Sequence, residues 1–224
     1  MASAKQPLSQ LKDEELIKNL KKRLQKKNVI QLNEYFSDPG TDAYFQEIYN
    51  RYKQPLEYYC SRFIHDPEMK SDLFHDIFIK IYLNIHKYHY NKSFKAWVYR
   101  IAHNSCINYK RKGRDKEKFI LNKKVGTPDG NKDTELIDLF ANPDTDLEQK
   151  MINREIKDII DNAVRELPYD YANVFLLKSE GGLTFEEIAR ILKISSRSVK
   201  SFYKNAAIFI KEKLVNNNIN LNDI

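Results

Sequence analysis

Apolar side chains recur along this chain at every third or fourth position, which is the period of an amphipathic helix. Leu16, Leu20 and Leu24 repeat at four-residue spacing, with Lys18, Lys21, Lys22, Arg23 and Lys26 between them, and predict a short amphipathic helix with a basic face. Residues Tyr44–Phe63 place Phe45, Ile48, Tyr52, Leu56, Tyr59 and Phe63 on one stripe. A break follows at His65-Asp66-Pro67. Residues Asp72–Ile85 repeat Leu73, Ile77, Ile81 and Ile85, with Phe74 and Phe78 beside them. Residues Tyr88–Ser93 read as a polar-aromatic loop. Phe94–Lys112 reads as a helix with Trp97, Ile101, Cys106 and Ile107 on its core face, ending in a basic turn and Gly113.

The second half repeats the theme. Ile152, Ile156, Ile159, Ile160, Ala163, Val164 and Leu167 predict a helix that Pro168 ends. Tyr171–Ser179 predicts another, and Glu180-Gly181-Gly182 a turn. Thr184 and Glu187 have the spacing of a capping box, so a helix starts there and runs to Leu192. Lys193-Ile194-Ser195 predicts a tight turn, with Ser195 capping a last helix from Ser196 to Leu214. No stretch alternates convincingly with period two, so the expected fold is all-α.

Charge divides the chain. The formal total is +7 over 224 residues. Residues 1–40 carry +3, residues 41–112 carry +5, residues 113–147 carry −2, residues 148–214 carry +2 and residues 215–224 carry −1. The acidic stretch also holds Gly113, Gly126, Pro128, Gly130 and Pro143 and few aromatics, which marks a flexible linker. The expected organisation is a basic N-terminal extension (1–40), a first helical domain (41–112), the linker (113–147), a helix-turn-helix domain (148–214) and a polar tail (215–224).

Composition then narrows the function classes. Two cysteines make no disulfide framework and form no CxxC pair, which suits a reducing, cytoplasmic setting. No apolar run is long enough for a membrane span, and the first ten residues show no secretory signal. The five histidines form no cluster with metal-ligand spacing, and no phosphate-cradling glycine loop is present, so no metal, no cofactor and no enzyme activity are expected.

Three constellations carry candidate chemistry. Residues 183–206 spell two short helices joined by about three residues, a helix-turn-helix. Ala189 sits where a larger residue would push the pair apart, and Ile188, Leu192, Ile194, Val199 and Phe202 supply the small core. The second helix offers Ser195, Arg197, Ser198, Lys200, Ser201, Tyr203 and Lys204, short hydroxyls and long cations suited to base edges and phosphates in a major groove. Residues 88–112 interleave aromatics with Lys92, Lys95, Arg100, Asn104, Asn108, Lys110, Arg111 and Lys112, a composition suited to stacking on unpaired bases and tracking phosphates. Trp97 and Phe94 are read as core. Residues 72–84 place Asp72 and Asp76 four apart on one helix face, either facing a basic partner or simply solvated.

These segments together resemble the extracytoplasmic-function group of bacterial sigma factors, in the sigma-70 family. Asp72-Leu73-Phe74-His75-Asp76-Ile77-Phe78-Ile79-Lys80 resembles the family's D-L-x-Q-E-x-F-x-K helix. Ser93-Phe94-Lys95-Ala96-Trp97-Val98-Tyr99-Arg100-Ile101-Ala102-His103-Asn104 resembles its S-F-x-A-W-L-Y-x-I-A-x-N helix. Leu167-Pro168 through Val174-Phe175-Leu176-Leu177 leads into the helix-turn-helix as in its C-terminal domain. The resemblance implies a factor that binds core RNA polymerase and directs it to promoters. It implies that Asp72, Phe74, His75, Asp76, Ile79 and Lys80 lie at the clamp helices of the β′ subunit. It implies that Tyr88 to Lys92 hold a flipped base, and that Lys95, Arg100, Asn104, Asn108, Lys110, Arg111 and Lys112 serve the minus-ten element. The helix-turn-helix would read the minus-thirty-five element, and its domain would meet the β flap. Family members are often held by an anti-sigma factor, a further partner class the resemblance admits.

The sequence departs from the family pattern at three places. His75 and Asp76 replace the usual Gln and Glu, which shortens the carboxylate's arm. Lys193 stands where glycine is usual, at a cost of roughly 1 kcal/mol if the residue is left-handed. The segment before residue 41 is longer than expected. The alternative reading is a two-domain helix-turn-helix regulator that binds DNA without polymerase. A third, a sequence-indifferent RNA-binding protein, would bind in a steeply salt-dependent way.

Overall fold

The computed structural model describes residues 7–27, 39–64, 66–89, 93–112 and 147–219. They hold helices and turns, and no strand is found among the described residues. The chain divides into two compact units, Met1–Arg114 and Asp115–Ile224. Most of the expected linker, from residue 113 to 146, lies outside the described residues, as does the end of the tail from residue 220.

Among the described residues, the first unit contains the α-helices α1 (Asp13–Lys27), α2 (Pro39–Ser61), α3 (Pro67–Asn84) and α4 (Phe94–Lys112). Its core is the stripe read from the sequence. Phe45, Ile48, Tyr52, Leu56 and Tyr59 of α2 are buried against Leu73, Ile77 and Ile81 of α3 and Phe94, Val98, Ala102 and Cys106 of α4. Rings cluster at one end of that core. Tyr52 and Tyr88 meet Phe94 edge-on at 5.7 and 5.2 Å, and Phe94 stacks on Trp97 at 5.6 Å. Edge-to-face and offset rings add stabilisation beyond their buried area. The face of α4 differs from expectation in detail: Ile101 and Ile107 are only half-buried, while Val98 and Ala102 are fully buried.

The break at Asp66-Pro67 has a positive role. Asp66 caps α3, its carboxylate accepting from the Met69 amide at 3.0 Å, and Pro67 stands in the first turn, where it sacrifices no helical hydrogen bond. The helix therefore begins five residues before the expected Asp72.

The N-terminal extension is not an appendage. Leu16, Ile17 and Leu20 of α1 are fully buried, and α1 packs along α2. Asp13 is the hinge of that contact. It forms an ion pair with Arg51 at 2.8 Å and accepts the Tyr52 hydroxyl. Burial first, and then the Asp13 charge, push the Tyr52 phenol far above its ordinary range, so it stays a neutral donor. Arg51 also donates to the carbonyls of Leu8 and Ser9 at 2.9 and 3.2 Å.

The second unit contains α5 (Leu147–Glu166), α6 (Tyr169–Ser179), α7 (Phe185–Leu192) and α8 (Ser196–Asn216). Ile156, Ile160, Ala163, Val164 and Leu167 are buried on the side of α5 that packs with α8, where Val199, Ala206, Ile210 and Leu214 are buried in turn, and α6 packs on α8 as well. Lys213 of α8 pairs with Glu166 of α5 at 2.6 Å. Gly181 and Gly182 close α6. The Gly181 amide donates to the Leu176 carbonyl at 3.1 Å, and Gly182 adopts φ 57°.

Candidate nucleic-acid and polymerase interfaces

The helix-turn-helix forms as its local signals require. Thr184 accepts from the Glu187 amide at 3.2 Å, while Glu187 accepts from the Thr184 amide at 2.9 Å, completing the capping box. Lys193 is left-handed, at φ 58° and ψ 40°, and its amide and that of Ile194 both donate to the Ala189 carbonyl. Ser195 then caps α8, accepting from the Ser198 amide at 3.0 Å. Ile188, Ile191 and Val199 are buried between the two helices. Leu192, Ala189, Ile194 and Phe202 are half-buried, so Ile191 takes the place expected for Leu192.

What α8 presents is a stripe. Arg197, Lys200, Ser201 and Lys204 are exposed at spacings of three, one and three, which sets them on one helix face. Ser195 and Ser198 bond to each other at 2.8 Å at the start of that face and serve the cap. Tyr203 falls elsewhere. Its half-buried ring stacks on Phe175 at 6.1 Å and meets Phe185 at 5.6 Å, making it part of the packing that sets the angle of α8. Phe202 likewise stacks on Tyr171 at 4.8 Å. Lys178 and Lys200 approach the Phe185 ring at 5.0 and 5.9 Å, so cations from two helices converge at the start of α7.

The first unit offers a second stripe, on α4. Ser93 starts the helix, accepting from the Ala96 amide at 3.2 Å. Arg100, Asn104, Asn108 and Arg111 are all exposed and follow one another along the solvent face, opposite a core face of Val98, Ala102 and Cys106. Lys95 is exposed too, but about 140° round the helix from Arg100 at 100° per residue, so the stripe excludes it. Lys92 lies outside the described residues, and so do the side chains of Lys110 and Lys112.

Tyr88 is in the core. It is 1% exposed, with its ring against Phe94 and, at 5.8 Å, Trp97. The resemblance implied that Tyr88 helps hold a flipped base; aromatic packing at the start of α4 takes its ring inward instead. His103, between Asn104 and the core, is also buried. Its Nδ1 lies 2.9 Å from the Tyr59 hydroxyl, and burial pulls its pKa from 6.5 to about 4, so the ring is neutral.

The solvent face of α3 combines opposite characters. Asp72, His75 and Asp76 are exposed. Among them stand three large apolar side chains: Met69, Ile79 and Leu83, exposed at 46, 49 and 44%. Of these only Ile79 was expected. Extending the Asp72, Asp76, Ile79 stripe by one helical step each way would have found the other two. Phe74 is buried against Tyr49 and Phe78, so it shapes this face from beneath. Lys80 is half-buried, paired with Asp76 and donating to Ser105 of α4 at 3.1 Å, and so ties the two helices together. No group of residues that could hold a metal ion occurs among the described residues.

Each unit thus exposes a polar, cationic helix face opposite a packed core, and the first adds an acidic-apolar face. Comparison with known proteins agrees. Residues 48–116 match Sigma-70 region 2 and residues 157–207 match Sigma-70 region 4. The sequence is 28% identical over 165 residues to the ECF RNA polymerase sigma factor SigW of Bacillus subtilis, covering 72% of this chain and 84% of that one. It is 28% identical to SigM of the same organism, covering 69% and 85%, and 26% identical to the ECF sigma-E factor of Haemophilus influenzae, covering 78% and 89%. Two solved structures share the fold. CnrH in complex with the cytosolic domain of CnrY has a TM-score of 0.53 at 14% identity, covering 90% of this chain and 96% of that chain. RpoE in complex with the anti-sigma factor NepR from Bartonella quintana has a TM-score of 0.52 at 18% identity, covering 76% and 96%. The region 2 and region 4 matches together span more than half of the 224 residues, in the order and on the helices that carry the exposed stripes, and this chain therefore belongs to the extracytoplasmic-function group of the sigma-70 family, directing promoter-specific transcription by RNA polymerase.

Proposed function

We propose that the three exposed faces divide the work of initiation. The α3 face, Met69, Asp72, His75, Asp76, Ile79 and Leu83, docks on the clamp helices of the β′ subunit. Carboxylates on its surface draw a basic partner, and the apolar side chains supply the area buried on contact. The α4 stripe, Arg100, Asn104, Asn108 and Arg111, serves the minus-ten element, joined by Lys92, Lys110 and Lys112 from sequence position. The α8 stripe, Arg197, Lys200, Ser201 and Lys204, reads the minus-thirty-five element in the major groove. The second unit also meets the β flap.

The observation that supports this reading best is the α4 stripe. Two asparagines and two arginines stand exposed at helical spacing on a helix whose opposite face is wholly core. Asparagine pairs with base edges and arginine with phosphates or guanine. Asn104→Ala is expected to lower promoter-specific run-off transcription severalfold while leaving affinity for core polymerase within about twofold, because one base contact is worth about 1–3 kcal/mol. Equal loss of both would reject the assignment.

The chain acts through binding energy, with no catalytic step of its own. Unstacking a base costs a few kcal/mol, which pocketed bases and phosphate contacts must offset. It works in the cytoplasm, where its polymerase is. The two structural neighbours are held by CnrY and by NepR, and an anti-sigma protein is a fitting further partner for this chain.

A further inference from the structure

We infer that Lys21 of α1 is a positioning residue for promoter opening: it fixes Tyr88, the last core residue before the minus-ten loop, from a helix outside both family-matched segments. The inference rests on the sigma-factor reading of that loop and of α4.

Three contacts converge on this point. The Lys21 ammonium donates to the Tyr88 carbonyl, 67 residues away in sequence. The same ammonium stands 5.7 Å from the centre of the Tyr88 ring. The Tyr88 ring in turn packs against Phe94 and Trp97, the first turn of the helix that carries the Arg100–Asn104–Asn108–Arg111 stripe. One side chain therefore grips both the backbone and the ring of the residue where the loop leaves the core. The site is partly desolvated, which strengthens a charge-assisted hydrogen bond, and burial lowers the pKa of Lys21.

The grip is useful only if α1 is itself held, and it is. Leu16, Ile17 and Leu20 bury one side of the helix. Arg51 clamps Asp13 and the carbonyls of Leu8 and Ser9 at its start, and the Arg23 guanidinium lies 5.3 Å from the Tyr44 ring further along. Lys22, one position on, is exposed and points elsewhere. The neighbouring lysines of α1 are thus distinguishable, one holding Tyr88 and one facing solvent.

A fixed Tyr88 sets the point from which the following segment meets a flipped base, so less ordering is left to the moment of opening. Releasing Tyr88 would weaken opening while leaving α3 free to bind polymerase and α8 free to bind duplex. The test compares wild type, Lys21→Met, Lys21→Arg and Lys22→Met in holoenzyme. A promoter fragment carrying 2-aminopurine in the minus-ten element reports opening, and footprinting of the upstream element and affinity for core enzyme are measured alongside. Lys21→Met is expected to lower the opened fraction about fivefold to tenfold, with core affinity and the upstream footprint unchanged. Lys21→Arg should restore most of the opening, and Lys22→Met should match wild type. Full opening by Lys21→Met, an equal defect in Lys22→Met, or a parallel loss of core affinity and thermal stability would overturn the positioning role. Failure of the wild-type holoenzyme to open any mapped promoter would instead strike the sigma-factor reading beneath it.

Discussion

Lys193 holds the turn between α7 and α8 at φ 58° and ψ 40°, where a side chain's Cβ crowds the following carbonyl. That conformation costs an L-residue about 1–2 kcal/mol, and glycine escapes the cost. Glycine loses more chain freedom on folding, which returns about 0.5–1 kcal/mol. The hydrogen bonds of the turn come from the Lys193 and Ile194 backbone amides, so replacement leaves them in place. The Lys193 side chain is exposed, so little packing is lost. Lys193→Gly is therefore expected to stabilise the second unit by about 0.5–1 kcal/mol. For a unit of this size that raises its thermal midpoint by about 2–8 °C. Lys193→Ala is the control: it keeps the Cβ, so it keeps the strain. The assay is thermal unfolding of the full chain, with hydrogen exchange of the α7 and α8 amides to assign the gain to the second unit. Stabilisation absent from Lys193→Gly, or equal in Lys193→Ala, would refute the strain argument.

Other consequences follow from single contacts. A Cβ on Gly181 would lie 2.4 Å from the Leu177 carbonyl oxygen, a backbone atom that cannot swing aside, so Gly181→Ala should destabilise the second unit by about 1–3 kcal/mol; a melting temperature equal to wild type would contradict this. His103 is neutral when folded, its pKa lowered from 6.5 to about 4, and the unfolded chain takes up its proton first. Stability from this group is therefore complete above pH 6.5 and lost as pH falls toward 4, by about 2 kcal/mol between pH 7 and pH 5. Urea titrations of wild type and His103→Gln test it, and equal pH slopes in the two would reject it. Ile79→Asp, at the centre of the acidic-apolar α3 face, should weaken core polymerase binding about tenfold or more without altering the thermal midpoint; unchanged affinity in a competition assay would remove this face from the docking surface.

Local signals were the most legible. The capping box at Thr184 and Glu187, the cap at Ser195 and the turn at Lys193 each depend on a few adjacent residues, and each forms as its spacing predicts. The long-range partners were harder to see. Asp13 and Arg51 lie 38 residues apart, so nothing in the Lys-rich pattern of α1 announced that this helix belongs to the first unit. The place of Tyr88 in the family pattern assigns it to a flipped base, while its neighbours in space are Phe94 and Trp97, which local sequence does not reveal. Tyr203 misleads in the same way, since it sits among the cations of α8 but packs on Phe175 and Phe185. Met69 and Leu83 were passed over for the opposite reason: apolar residues at helical spacing usually read as core, and here they are exposed beside carboxylates.

The central claim is that this chain gives core RNA polymerase its choice of promoter. The most direct measurement is genome-fragment run-off transcription by core enzyme with and without the purified chain, followed by mapping of transcript 5′ ends. A new set of starts is expected that depends on the chain and shares two upstream elements, lost at one element with Arg197→Ala and at the other with Asn104→Ala. No association with core and no new starts, with tight duplex binding by the free chain, would contradict it.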